Sequence, residues 1–279
     1  MTEPAWQTAN RANWNERVPL HLASPDYDLA PLRAGRGSLH AIEAAELGPV
    51  AGLRVLHLQC HFGRDSLILA QQGAEVVGLD FSGPAIAAAQ ALGAELNLSA
   101  KFVCASVYDA PDVIGGAGSF DLVYVTWGTL VWLPDVPDVA AWARVVAHFL
   151  KPDGRLYFAE HHTAASVFDD EGAADGKPGW CVPYFGGELQ IDDTRDYADA
   201  TAVLANSRTH QFMHPLSTIV GAVLAAGLTL DSLHGHARVP SRMFNFLVPD
   251  ADGLWAWPDR PWLPLAFSLQ ATRRAPPPH

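Results

Sequence analysis

LRVLHLQCHFGRDSLILAQQG, residues 53–73, contains the clearest structural pattern in the chain. Its first six residues form a short apolar run, which is typical of a buried strand, and residues 59–63 follow as a turn. Residues 64–72 then place leucines and an alanine at helical spacing, and Gly73 is a typical residue just after a helix. The stretch therefore predicts a strand, a turn and a helix in succession.

The same alternation continues downstream. Residues 75–79 predict a second strand, and Ser82 is a suitable N-cap for an alanine-rich helix with Pro84 in its first turn. Residues 216–224 predict a late helix that stops at Gly227. Another helix is predicted where four large apolar residues share one face, namely Val139, Trp142, Val146 and Phe149. Further strand patterns lie at residues 101–104, 120–125, 154–160, 228–233 and 264–271.

Strands that alternate with helices predict an α/β fold with a doubly wound, mostly parallel sheet of seven strands. A hairpin at the C-terminal end makes the final strand antiparallel. Residues 163–206 interrupt the alternation with glycine, proline and acidic residues, which predicts an inserted lid. The predicted organisation is a cap at 1–45, a core at 46–162, the lid at 163–206, a C-terminal helix and hairpin at 207–273 and a disordered tail at 274–279.

The composition restricts the function classes that the chain supports. The 279 residues carry a formal net charge of −12 without a basic cluster, so their long-range field repels nucleic acids and anionic membrane surfaces. No apolar run is long enough to cross a bilayer and no signal-peptide pattern is present, which predicts a cytoplasmic protein. Cys60, Cys104 and Cys181 have neither disulfide nor zinc spacing, so no metal is expected.

Ligands of open α/β sheets bind beyond the carboxyl ends of the strands. The turns at those ends are residues 59–63, 80–82, 105–108 and 126–128. Asp80 directly follows the second strand, about 20 residues beyond the first turn, where a carboxylate can accept hydrogen bonds from both hydroxyls of a ribose. The turns therefore predict a nucleotide site.

Four segments carry a family resemblance: VLHLQCHFG at 55–63, VVGLDFS at 76–82, FDLVYV at 120–125 and LKPDGRL at 150–156. In order and spacing they resemble the motifs of class I S-adenosylmethionine (SAM)-dependent methyltransferases, which have a Rossmann-like fold. The resemblance covers residues 40–162 and implies that SAM is the cofactor. It places the methionine end on the first turn, the ribose on Asp80 and the adenine between Phe81 and Val107. The implied cofactor-binding residues are Gln59, Cys60, His61, Gly63, Asp80, Phe81, Ser106, Val107 and Thr126.

The chain departs from the family pattern in its first and third turns. Gly63 is the one glycine of the first turn, where the family often has three, and it is expected to let the backbone approach the ligand. His57 stands where an acidic residue is common. Ser106 stands where many members place a carboxylate on the adenine amino group, and the hydroxyl of Ser106 or the carboxylate of Asp109 is expected to replace it.

Candidate catalytic residues follow the fourth and fifth strands. Methyl transfer from a sulfonium is an in-line displacement that needs alignment, and it needs a general base only where the nucleophile has a proton to lose. The resemblance places residues 126–129 at the methyl group, where Trp127 either walls the acceptor by cation–π contact or is a core residue. His161 and His162 end the fifth strand; only one can face the site, and each is a candidate base or a structural residue.

Two further segments are candidates to enclose the acceptor. Tyr184, a catalytic candidate, and Phe185, an acceptor-binding candidate, lie in the predicted lid beside two glycines, where they either close over the acceptor or form a hairpin turn. Trp14, His21 and Tyr27 lie in an N-terminal segment that caps the SAM pocket in related methyltransferases. These three residues complete the acceptor-binding candidates.

A long connection after the sixth strand either completes the pocket rim or is a solvated loop. Its polar and aromatic residues are His234, His236, Arg238, Arg242, Phe244, Asn245 and Phe246.

The leading hypothesis is a SAM-dependent methyltransferase acting on a nitrogen or oxygen of a small aromatic or heterocyclic molecule. Two alternatives stay open: an enzyme that uses SAM without methylating, for example by cyclising it, and a catalytically silent binding module on the same fold. The expected partner is a small-molecule acceptor, with no nucleic acid and no membrane. The chain is expected to be a monomer or a homodimer.

Overall fold

A computed structural model of the chain describes residues 3–134, 138–170, 179–199 and 201–275. Within them the helices are α1 Ala5–Ala23, α2 Ala30–Arg33, α3 Ala41–Glu46, α4 Arg64–Gln71, α5 Gly83–Glu95, α6 Ala110–Ile114, α7 Asp138–Phe149 and α8 Leu216–Ala225. The strands are β1 Arg54–Leu58, β2 Glu75–Asp80, β3 Ala100–Cys104, β4 Phe120–Thr126, β5 Leu150–His161, β6 Phe168–Asp169, β7 Gly179–Trp180, β8 Gly187–Asp192, β9 Arg208–Met213, β10 Thr229–His236, β11 Arg238–Val239, β12 Val248–Pro249, β13 Trp255–Ala256 and β14 Ala266–Thr272.

A seven-stranded sheet in the order β3-β2-β1-β4-β5-β14-β10 forms the centre of the chain. The pairs from β3 to β5 are parallel, whereas β14 runs antiparallel to both β5 and β10. These are the seven strands that the apolar runs predict, so the predicted Rossmann-like, doubly wound sheet with an antiparallel final strand is confirmed. Strand β1 lies between β2 and β4, so the chain winds outward from β1 in both directions along the sheet. At such a point a crevice opens beyond the carboxyl ends of the strands.

Apolar side chains cover both faces of the sheet. On one face the predicted amphipathic helix α7 buries Val139, Trp142, Val146 and Phe149 completely in a cluster shared with α8. On the other face α4 and α5 pack in a second cluster over the central strands. The predicted cap of α5 is confirmed, since the Ser82 hydroxyl accepts a hydrogen bond from the amide of Ala85. Two packed faces hold the strand ends in fixed positions.

Helix α1 is joined to the inserted segment by buried polar contacts and by an edge contact between the rings of Trp6 and Phe212. The side chain of Asn10 exchanges two hydrogen bonds with the backbone of His210, and Arg17 donates to the buried carboxylate of Asp196 at 2.8 Å. The insertion extends past the predicted limit at residue 206, because β8 pairs with β9 as an antiparallel hairpin. The N-terminal cap and the insertion therefore form one cover.

Residues 237–265 are folded. Of the two interpretations of their sequence, a pocket rim and a solvated loop, the structure does not show the loop. Strands β11, β13 and β12 form a small antiparallel sheet, and Val239, Phe244 and Leu265 belong to a separate apolar cluster. Strands of only two residues leave no periodic pattern, so the sequence does not indicate them. This segment, the C-terminal rim, lies against the end of β5.

The predicted disordered tail begins too early. Arg274 donates a hydrogen bond to Asp231 at 2.5 Å, so the chain is anchored beyond the end of β14; residues 276–279 lie outside the described residues. No helix within the described ranges has the length and apolar character needed to cross a membrane.

Candidate functional site

A cavity of about 940 Å³ opens at the carboxyl ends of β1, β2, β3, β4 and β5. Helix α1 contributes Trp6 and Trp14 to its walls, the insertion contributes Tyr197, and the C-terminal rim contributes residues 240–242. The sequence-predicted residues that the cavity brings together are Trp14, Tyr27, Gln59, Cys60, His61, Asp80, Phe81, Ser106, Val107, Thr126, Trp127 and His161. Asp109, the alternative to Ser106, is exposed and not among the lining residues. The predicted turns therefore meet at one cavity.

The first turn has a strained backbone. Gln59 and His61 have φ values of 57° and 52°, in the left-handed region that disfavours residues with a Cβ atom. The side-chain amide of Gln59 donates to the carbonyl of Thr129 at 2.9 Å, which ties this turn to the one after β4. Two residues other than glycine thus hold a conformation that glycines adopt readily, and such strain is often found at functional sites.

Gly63 has a packing role that differs from the expected one. A Cβ atom at this position would lie 2.7 Å from the ring of Phe102 and 2.8 Å from the Cβ of Ala89, and its φ is 76°. Gly63 is not among the residues that line the cavity. The glycine is therefore required where α4 begins against β3 and α5, and the expectation of a close approach to the ligand is corrected.

Asp80 lies in the cavity wall with both carboxylate oxygens already fixed. One oxygen accepts a hydrogen bond from the amide of His61 at 2.8 Å, and the other accepts from the amide of Ser82 at 2.9 Å. Burial raises its pKa to about 6, against the opposing effect of these backbone donors. A carboxylate has about four lone-pair sites, more than these backbone donors occupy, so a neighbouring ligand hydroxyl can still donate to it.

Several buried polar atoms of cavity residues have no hydrogen-bond partner among the described residues. They are Trp14 Nε1, Gln59 Oε1, His61 Nε2, Arg64 Nε and Trp132 Nε1. The rings of Trp14 and His61 lie 5.3 Å apart, so these atoms are grouped beside the first turn. A buried polar group without a partner costs free energy, and a ligand carrying both donors and acceptors would remove that cost.

Glu160, which sequence reasoning missed, holds the turn after β4. Its carboxylate accepts from the amides of Gly128 and Thr129 at 2.6 Å and 2.7 Å. Burial opposes its charge, but the hydrogen bonds from His161 and from these amides outweigh burial and lower its pKa. Trp127 adopts φ 52° in this turn, which the Glu160 contacts stabilise. An acidic residue before two histidines at a strand end was the available signal.

The two histidines at the end of β5 have separate positions. His161 lines the cavity; its Nδ1 lies 3.1 Å from Glu160 Oε1 and its Nε2 lies 2.7 Å from the hydroxyl of Ser241. His162 instead packs on the ring of Phe267 at 5.8 Å, and its Nδ1 accepts from the amide of Ala164. His161 is thus the histidine that faces the site, and catalysis by His162 is not supported.

Three other candidates lie away from the cavity walls. The hydroxyl of Tyr184 accepts a hydrogen bond from the amide of Leu216 at 3.1 Å and so caps α8, which corrects its catalytic assignment. Phe185 is 88% exposed and is not an acceptor contact here. His21 is fully buried behind the wall, where it stacks on Tyr27 and lies 3.2 Å from Asp196.

Glu43 and the C-terminal rim are further features that sequence reasoning did not assign to the site. The carboxyl group of Glu43 accepts a hydrogen bond from Trp127 Nε1 at 2.6 Å, and burial raises its pKa to about 8. Ser241, Arg242 and Trp255 of the rim line the cavity together with His161. No sequence pattern indicates Glu43. Arg242, in contrast, lies in the connection that the sequence analysis interprets either as a pocket rim or as a solvated loop.

Residues 55–154 match the family model described as "Methyltransferase domain". A ubiquinone biosynthesis O-methyltransferase of Xylella fastidiosa is 30% identical over 136 residues, which are 47% of this chain and 53% of that protein. The chain spans about half the length of the curated relatives it matches.

Solved structures resemble the chain over most of its length. A SAM-dependent methyltransferase from Mesorhizobium loti superposes with a TM-score of 0.57 at 24% identity, covering 84% of this chain and 98% of that one. A 1,6-didemethyltoxoflavin-N1-methyltransferase from Burkholderia thailandensis superposes with a TM-score of 0.53 at 17% identity, covering 99% of this chain and 92% of that one. At these identities the similarity establishes the fold.

Proposed function

We propose that this chain, whose residues 55–154 match a methyltransferase domain, is a class I SAM-dependent enzyme that transfers the methyl group of SAM to a small aromatic or heterocyclic molecule. The accepting atom is a nitrogen or an oxygen. The observation that carries the proposal is that one cavity is lined both by the carboxylate of Asp80 and by His161, whose Nε2 lies 2.7 Å from the hydroxyl of the cavity residue Ser241.

The unpartnered polar atoms around the first turn fit SAM. Asp80, Phe81 and Val107 line the cavity, where Asp80 would accept hydrogen bonds from the ribose hydroxyls and the other two residues would enclose the adenine. Trp14 Nε1 and Gln59 Oε1 supply a donor and an acceptor for the carboxylate and ammonium of the methionine end. Bound SAM supplies an electrophilic methyl group on a sulfonium, and displacement of that methyl leaves S-adenosylhomocysteine (SAH).

His161 is placed to remove a proton from the accepting atom. A carboxylate only accepts hydrogen bonds, so Nδ1 of His161 donates to Glu160 and Nε2 keeps its lone pair, which accepts from Ser241. When an acceptor hydroxyl or amine replaces Ser241 as the donor, Nε2 takes its proton. The buried charge of Glu160 then stabilises the imidazolium that forms.

The walls of the acceptor end favour a planar molecule. Trp127 and Trp255 line this end with His161, and the ring of Trp127 lies 5.9 Å from that of His161. The Burkholderia relative, crystallised with 1,6-didemethyltoxoflavin and SAH, and the Xylella O-methyltransferase support a small acceptor in this fold. The net charge of −12 disfavours nucleic acid, and we place the enzyme in the cytoplasm as a monomer or homodimer.

Mass spectrometry of reactions with SAM and a panel of hydroxylated and amino-substituted bicyclic aromatics tests the proposal. We expect SAH and a product heavier by one methylene unit, with turnover lost in His161→Ala. Methylthioadenosine as the product would instead indicate cyclisation of SAM and contradict methyl transfer. Absence of any SAM conversion across the panel, together with no SAH binding, would favour a silent module.

A further inference from the structure

We propose that Arg242 and Trp255 form a subsite for a carboxylate carried by the planar acceptor. The inference rests on the proposed function, because it names the class of molecule that this site methylates. Both residues lie on the C-terminal rim and line the cavity, and Arg242 is exposed where the cavity meets solvent. The subsite therefore lies at an open part of the wall, where an acceptor can enter.

The guanidinium of Arg242 is held in place by two contacts. Its Cζ atom lies 5.1 Å from the centroid of the Trp255 ring, and one of its amino groups donates to the carbonyl of Asn245. Stacking on an indole and one fixed donor restrict the orientation of the planar group. Arginine has five N–H donors, so donors remain for a bidentate contact to a carboxylate.

The nearby carboxylates of the protein are already occupied. Asp250 and Asp252 both accept from Arg238, at 2.9 Å and 2.6 Å. Asp170 accepts from the backbone amide and the side chain of Asn245. Among the described residues none forms an ion pair with Arg242, so its charge is available to a ligand. In a protein of net charge −12, an anion needs such a local positive group to bind.

The subsite is adjacent to the proposed base. Ser241, the neighbour of Arg242 in the chain, contacts Nε2 of His161 at 2.7 Å. An acceptor whose carboxylate is held by Arg242 and whose ring lies along Trp255 is therefore oriented with another edge toward His161. Fixing one end of a small molecule in this way supplies the alignment that in-line methyl transfer requires.

Calorimetric titration with a matched pair of probes tests the subsite without turnover. The probes are indole-3-carboxylate and its neutral isostere indole-3-carboxamide, each titrated into the protein with and without SAH. We expect the carboxylate to bind about three- to tenfold more tightly than the amide, a modest ratio because the exposed guanidinium is screened. Raising the salt concentration should reduce that preference.

Variants identify the group that is responsible. Arg242→Gln should abolish the preference, and Arg242→Lys should keep only part of it because an ammonium makes no bidentate contact. Arg260→Gln is the matched control: Arg260 also stacks on an indole, at 4.1 Å from Trp262, but neither residue lines the cavity. That variant should retain the full preference.

Equal binding of the two probes to the wild-type protein, or no measurable binding of the carboxylate at millimolar concentration, would overturn the subsite. An equal loss in the Arg242 and Arg260 variants would also overturn it. The separate SAH titration keeps the two proposals distinguishable, because SAH can bind normally while the carboxylate preference is missing. Conversely, a carboxylate preference without SAH binding would contradict the proposed function and retain the anion subsite.

Discussion

The indole nitrogen of Trp127 donates a 2.6 Å hydrogen bond to the buried carboxyl group of Glu43. Glu43 lies on α3, before the sheet begins, and Trp127 is the first residue after β4. The bond thus joins two segments that are 84 residues apart and fixes the indole beside His161. Because burial raises the pKa of Glu43 to about 8, this carboxyl group is mostly neutral at pH 7.

Glu43→Gln should change how stability depends on pH. A carboxyl group whose pKa rises from 4.5 in the unfolded chain to about 8 in the folded one binds its proton more tightly when folded. Below pH 4.5 the carboxyl group is protonated in both states and does not lower the free energy of unfolding. As the pH rises toward 8 the unfolded chain ionises first, so the free energy of unfolding falls. Denaturant unfolding should show a difference of a few kcal/mol developing in favour of the glutamine variant between pH 5 and 8. Parallel pH profiles of the two proteins would contradict this assignment.

The fold was predictable because its signals are local and repeated. Apolar runs, Ser82 as a cap and the glycines after α4 and α8 all act within a few residues, so β1 to β5, β10 and β14 follow from the sequence. The positions of Asp80, Phe81 and Val107 follow in turn, since a parallel sheet brings its strand ends to one edge.

The rest of the site depends on contacts that no local pattern encodes. Glu43 looks like a polar interruption of a short helix until its long-range partner Trp127 is known. Arg242 lies between strands of two residues, whose pairing depends on tertiary packing rather than on periodicity. For Tyr184 and Phe185 the local pattern is present, but it indicates the wrong role. Aromatic residues beside glycines suggest a lid. The Tyr184 hydroxyl instead accepts from the first amide of α8, and the Phe185 ring is in solvent.

His161→Ala and His162→Ala should have unequal effects. Only His161 lines the cavity with a ring nitrogen oriented by Glu160, so its loss should lower kcat by about 100-fold or more, within the usual range for a general base. His162→Ala should change kcat by less than about twofold, since its ring packs on Phe267. Affinity for SAH should be unchanged in both. Equal kcat values for the two variants would contradict the hypothesis that His161 acts as the general base.

Gly63→Ala should destabilise the fold by about 2–4 kcal/mol, measured by urea unfolding. The added methyl would lie 2.7 Å from the Phe102 ring, and φ 76° is strained for alanine. Gly35→Ala is the control, because Gly35 has φ 73° with no atom within 4 Å of the new methyl. It should cost only the backbone strain, about 1 kcal/mol. If both variants lost the same stability, packing against Phe102 would not be the reason for the glycine.

Asp196→Ala should loosen the cover formed by α1 and the insertion. The buried carboxylate of Asp196 lies 2.8 Å from the guanidinium of Arg17 and 3.2 Å from the ring of His21, so its removal leaves the Arg17 guanidinium without its carboxylate partner. SAH should then dissociate several-fold faster in stopped-flow experiments. Asp199→Ala removes an exposed carboxylate whose contacts are to nearby residues such as Thr201, and it should leave the rate unchanged. Unchanged dissociation in Asp196→Ala would mean that the cover does not retain the cofactor.

Calorimetric titration of the purified chain with SAH, in parallel with Asp80→Ala, tests the central claim most directly. The Asp80 carboxylate at the cavity wall can accept further hydrogen bonds, so the claim requires SAH to bind the wild-type chain and to bind the variant at least about tenfold more weakly. Thermal unfolding of the variant serves as the control for its fold. Micromolar binding to the wild-type protein with that loss in the variant is the predicted result; no binding to either protein, or equal binding to both, would contradict the account.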